Sequence, residues 1–156
     1  MIKISGADEA LESTIKARDR FYQLVDELIR ALVEEGIEVA KIELSRFSFP
    51  HGTGQLESSI VGVFNQATHT GYVIADVPYA MFVEYGTGIV GLRSPSHPAE
   101  PAEWIQDSNR HGDAGWWYVD DGYHWTKGMP SRPFMYNAFI EMRYQVDRIA
   151  KEVFNK

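Results

Sequence analysis

Apolar residues recur at helical spacing along the first third of the chain. Leu11, Ile15, Tyr22, Val25, Ile29, Leu32 and Val39 follow one another at intervals of three, four or seven. Arg18 and Gly36 are the polar or small members of the same stripe, which is one face of an amphipathic helix. Phe21, Leu24 and Leu28 widen it, and charges from Glu12 to Lys41 occupy the other side. Asp8 is the predicted N-cap, with Ser5 competing, and the helix runs to about Phe47. Such a helix measures about 57 Å at 1.5 Å per residue, longer than a domain of this size requires. It either bends near Gly36 or projects and packs on a neighbour.

Beyond a Pro/Gly-containing loop at 49–54 the pattern changes period. Residues 56–65 and 72–77 are rich in β-branched and aromatic side chains around a polar turn, which predicts a β-hairpin. After Pro78, residues 79–85 read as a short helical turn or a third extended piece, and 86–91, with three glycines, as a loop. The stretch 94–115 is polar and proline-rich, with one helical turn expected at 100–105. Residues 116–119 and 123–126 form a second hairpin about Asp120-Asp121-Gly122. Alternation places Trp117 and Val119 on one of its faces and Trp116 and Tyr118 on the other. Ser131 is the predicted N-cap of a last helix, with Pro133 in its first turn and Phe134, Ala138, Met142, Gln145, Ile149 and Val153 along its stripe. The expected class is α+β, with a long N-terminal helix and a C-terminal helix packed on a small antiparallel β-sheet. One domain spans 1–156, with a loop-and-hairpin insertion at about 92–127.

Composition narrows the function. Aromatics make up 13% of the 156 residues, with four Trp, which favours large buried contacts or an interface. The absence of cysteine removes disulfides, thiolate metal sites and cysteine nucleophiles. A net charge of -7 without a basic cluster argues against tight nucleic-acid binding. No apolar run approaches a membrane span, and the first residues carry no apolar signal region, which predicts a cytosol-like compartment and no membrane partner.

The candidate chemistry is sparse. His51, His69, His97, His111 and His124 lack metal-motif spacing; all but His124 fall in loops or turns, where surface positions are expected. Asp107, Asp113, Asp120, Asp121 and Glu84 can be considered as a hydrolase acid/base pair, but an Asp-Asp-Gly turn needs no catalytic explanation. No catalytic residue, cofactor site or metal site is assigned. Glu84 stands apart because it lies in an apolar run, where a carboxylate needs a partner. Arg132 is the expected one, as a bidentate pair locking two loops. Trp116, Trp117, Tyr118 and Trp125 are candidate interface residues, with stacking on a sugar or a base as the alternative.

Three segments together carry a resemblance. They are Thr53-Gly54-Gln55-Leu56-Glu57-Ser58-Ser59-Ile60, then YAMFVEYGTG at 79–88, then GMPSRPFMYNAF at 128–139. In order and rough spacing the chain resembles the small tail-completion or head–tail joining components of long-tailed bacteriophages, the tenth-gene-product-like family of lambdoid phages. The motif positions are Tyr79, Val83, Glu84, Tyr85, Gly86, Thr87 and Gly88, then Met129, Pro130, Arg132, Pro133, Phe134 and Ala138. The stretch from about 92 to 126 departs from the pattern, being longer and more aromatic. The resemblance implies a non-enzymatic virion protein, assembled in the bacterial host cytoplasm and acting at the head–tail junction as a homo-oligomer, often a sixfold ring. Its implied partners are connector and tail proteins, with DNA at most passing through a lumen. The alternatives are an aromatic-rich binding module for a glycan or host protein and, less favoured, a small hydrolase.

Overall fold

A computed structural model of the chain describes residues 6–49, 52–119 and 122–155. In order it contains α1 (Ala7–Ser45), α2 (Gln55–Ser58), β1 (Ile60–Asn65), β2 (Thr70–Ala75), α3 (Ala80–Tyr85), α4 (Gly88–Arg93), a 3-10 turn (Gly112–Ala114), β3 (Trp116–Val119), β4 (Tyr123–Thr126) and α5 (Phe134–Phe154). The fold is α+β, with long helices at both ends as the periodicity predicts. The strands, however, form two separate antiparallel pairs, β1–β2 and β3–β4.

α1 starts two residues earlier than the Asp8 cap implied. Gly6, in the left-handed conformation at φ 92°, is its N-cap, and Asp8 lies inside the first turn with Glu9, where negative charge suits the helix end. Ser5 lies outside the described residues. α5 runs along α1, tied by Arg148 to Glu35 at 3.2 Å and by Phe154 against Phe21, ring centroids 6.2 Å apart. α5 ends beside Phe21, so residues 7–20 of α1 project beyond it, and every residue from 7 to 23 is exposed. α1 is one helix through Gly36, and its first turns project as the second sequence alternative expected. Gly36 serves packing: a Cβ there would lie 2.9 Å from Val73 Cγ2 on β2.

The core lies where the second half of α1 meets β1, α3 and the start of α5. Ala40, Leu44, Ile60, Val83, Phe134 and Ala138 are buried there, Phe134 completely. β1 and β2 lay one face on α1. Gly62 and Gly71 let the hairpin backbone close on Val33, which a Cβ at either position would meet at 2.3 or 2.5 Å. The opposite face, where Val61 pairs Ile74 and Val63 pairs Tyr72, is exposed. The first strand is shorter than the β-branched run implied, and the second has the expected length but lies two residues earlier. The Gln55–Ser58 segment is a helical turn started by left-handed Gly54, and β2 begins at Thr70.

Two loop readings are revised. Gly86 ends α3, while Gly88 and Gly91 belong to α4, where Gly91 permits close packing: a Cβ would stand 3.2 Å from the Met129 carbonyl oxygen. The helical turn expected at 100–105 is only a tight turn, closed by the Trp104 amide donating to the Pro101 carbonyl at 2.9 Å. β3 and β4 pair as predicted, Trp117 opposite Trp125 and Val119 opposite Tyr123; Asp120 and Asp121 fall outside the described residues.

Candidate functional site

Residues 79–88 and 128–139 meet at one junction, and Glu84 is its centre. The Glu84 side chain leaves α3 into the interior and is buried. Its Oε1 accepts the amide of Tyr136 at 2.9 Å and a ring N–H of His97 at 2.8 Å; its Oε2 accepts the amide of Met135 at 3.0 Å. Met135 and Tyr136 are the second and third residues of α5, the positions whose amides have no partner inside a helix. The α5 N-cap is Pro133, which offers no side-chain acceptor. A carboxylate from 50 residues upstream therefore does what a Ser or Asp cap does locally, with its charge at the favourable end of the helix dipole.

This replaces two expectations. Ser131 does not cap α5; its hydroxyl donates to the Glu84 carbonyl at 2.7 Å, fastening α3 to the loop before α5. Nor does Arg132 pair with Glu84. Its guanidinium lies over the Phe49 ring, 4.8 Å from the centroid, with Nη1 3.8 Å from Met129 Sδ, and among the described residues it makes no ion pair. Burial pulls its pKa below the usual arginine range. Its backbone makes the connection instead, the amide donating to the Val83 carbonyl at 2.9 Å. Stacking on a partly buried ring is worth about 1 kcal/mol. Arg132→Ala is therefore expected to cost about 1 kcal/mol in urea unfolding, and a loss above about 3 kcal/mol would show an ionic role that this geometry lacks.

His97 is the residue sequence reasoning missed. It lies in the proline-rich stretch that reads as surface loop, yet it is buried. The Ala99 amide donates to Nδ1 at 3.0 Å, so the proton of the neutral ring sits on Nε2 and is donated to Glu84. Tyr85 and Tyr136 pack edgewise on the ring, centroids 4.6 and 5.2 Å away. Burial and, behind it, the Glu84 charge push the Tyr85 hydroxyl above its ordinary pKa. The one sequence sign of this arrangement is the proline at the start of α5, a helix start that must find its acceptor elsewhere.

Backbone bonds complete the junction. Thr87 and Met129 exchange amide–carbonyl bonds at 2.9 and 3.1 Å, and Trp104 Nε1 donates to the Gly86 carbonyl at 3.2 Å. Gly86 is at φ 79°, and a Cβ would stand 2.6 Å from the Ser131 amide nitrogen. Of the predicted motif residues, Glu84, Gly86, Thr87, Met129, Pro133 and Phe134 thus meet, while Arg132 turns aside. Gly88, at φ 62°, has Trp116 where a Cβ would be, joining the junction to the aromatic hairpin.

The insertion builds a cleft of about 860 Å³ beside the junction, walled by Phe82, Trp104, Ile105, Trp116, Tyr118 and Met129. Trp116 and Tyr118 face it, while Trp117 and Val119 are exposed on the other side, as alternation predicts. The cleft floor is held by Asp107, whose carboxylate accepts the Gly112 and His111 amides at 2.8 and 2.9 Å. The Gly112 amide foremost keeps that carboxyl below its ordinary pKa. Trp125 donates its indole N–H to the Ala114 carbonyl at 3.2 Å, with Lys127 over its ring. Among the described residues no three His, Asp or Glu side chains gather as a metal site, and no helix is long and apolar enough to cross a membrane. No protein-family model, curated protein or solved structure matches the chain.

Proposed function

We propose that this chain is a structural component of a long-tailed phage or prophage virion, acting at the head–tail junction or in tail completion as part of an oligomeric ring. The observation that carries the reading is the junction itself. The segments that resemble the tail-completion family form one architectural unit, with the carboxylate of one capping the helix opened by the other. Its polar groups are spent on holding backbone: both Glu84 oxygens, the Ser131 hydroxyl and the Trp104 indole bind within the junction. The projecting helix and the exposed apolar hairpin face support assembly, because a chain alone leaves both in water. A net charge of -7 suits a lumen wall past which DNA moves without sticking.

Purified protein is expected to run larger than a monomer in light scattering, to show rings by negative-stain microscopy, and to bind portal–connector or tail-tube complexes. A monomer that binds neither would remove the basis of this reading.

A further inference from the structure

The apolar seam of α1 does not stop where α5 ends. Leu11, Ile15, Arg18, Tyr22, Val25, Ile29, Leu32, Gly36 and Val39 alternate in steps of four and three, the heptad spacing of a helix-packing seam. Its later members, Ile29, Leu32 and Gly36, form the floor of an open groove of about 440 Å³. One wall is α5, through Met135, Phe139, Met142 and Val146; the other is the edge of β2, through Gly71 and Val73. This lining is almost wholly apolar, and Phe139 and Val146 are exposed along it. The earlier members, Leu11 and Ile15, lie on the projecting segment and are 61% and 40% exposed. One chain therefore carries an unfilled groove and an unpacked helix with the spacing of that groove's own floor.

We infer that the groove of one copy receives the projecting segment, residues 7–20, of a second copy. The inference rests on the reading of the chain as an oligomeric component and names its contact. Three observations select this occupant. Lengths agree: the segment is about 20 Å long, and the groove walls from Ile29 to Ala40 and from Met135 to Val146 each run about 17 Å at 1.5 Å per residue. The packing is continuous with an interface the chain already uses, since α5 packs along α1 and the groove lies beside that contact. Charge is complementary: Arg143 on the groove wall lies over Phe139 with no carboxylate partner among the described residues, and the segment opens with Asp8 and Glu9, which also lack partners.

The test is complementation between two full-length variants altered only at exposed positions. Leu11→Glu/Ile15→Glu disables the segment and leaves the groove; Phe139→Glu/Val146→Glu disables the groove and leaves the segment. Each alone is expected to be a folded monomer by circular dichroism and light scattering. Mixed, they are expected to form a complex of one copy of each, because the intact segment of one fits the intact groove of the other. The wild type keeps its larger mass throughout. If either variant alone keeps the wild-type mass while folded, or if the mixture stays monomeric, the inference is overturned. Binding to connector or tail complexes is measured separately: its loss with complementation intact refutes the virion assignment and leaves this contact standing.

Discussion

Glu84→Ala is expected to destabilise the protein by about 3–5 kcal/mol, the largest effect of any single polar change in the chain. Removing the carboxylate strands three donors: the buried His97 Nε2 proton and the part-buried Met135 and Tyr136 amides. A buried donor left without an acceptor costs about 1–3 kcal/mol, and the negative charge at the α5 N-terminus is lost as well. For a chain of this size each kcal/mol moves the melting temperature by about 2–4 °C, so a fall of roughly 6–20 °C is expected by calorimetry. Glu84→Gln is expected to fall between. Its carbonyl oxygen can serve the pair of donors now on Oε1, but its NH₂ then faces the Met135 amide, donor against donor, at about 1–3 kcal/mol. A Glu84→Ala protein within about 1 kcal/mol of wild type would mean that the cap is dispensable.

The second large effect is expected at Gly128. This residue is at φ 98°, and a Cβ on it would stand 1.9 Å from the Thr87 carbonyl oxygen. The positive φ alone costs an L-residue about 1–2 kcal/mol. The clash cannot be relieved by a rotamer, because the atom it meets is backbone. Thr87 must retreat, and the two Thr87–Met129 bonds go with it, each worth about 1 kcal/mol. Gly128→Ala is therefore expected to cost at least about 3 kcal/mol in urea unfolding followed by tryptophan fluorescence. Gly112→Ala is the control, with a positive φ of 52° but nothing within 4 Å of the added carbon. It is expected to lose only the conformational share, and equal losses at the two positions would show that the clash is not what matters.

Much of this architecture was legible because it rests on periodicity. α1, α5 and both hairpins follow from spacings of three to four or of two, and the Asp-Gly turn placed the second hairpin within a residue. The junction was legible in part. That Glu84 needed a partner followed from its apolar surroundings, but the partner proved to be two backbone amides, which carry no residue identity to read. An arginine nearby drew the inference because its charge is visible in a sequence and a helix N-terminus is not. His97 was hidden for a related reason: prolines around it signal a loop, and loops are usually at the surface, yet this one is pressed onto α3 by its tyrosine neighbours. The glycines of α4 were read as loop residues when their use is close approach inside a helix.

The pairing of α1 with α5 also bears on how the protein is made. Ribosomes add about 5–20 residues per second, so α5 follows α1 out of the exit tunnel by on the order of 5–20 s. Through that interval the α1 seam is exposed on a nascent chain that cannot yet cover it. The yield of this protein in a recombinant host should therefore depend on chaperone supply as much as on the stability of the finished fold.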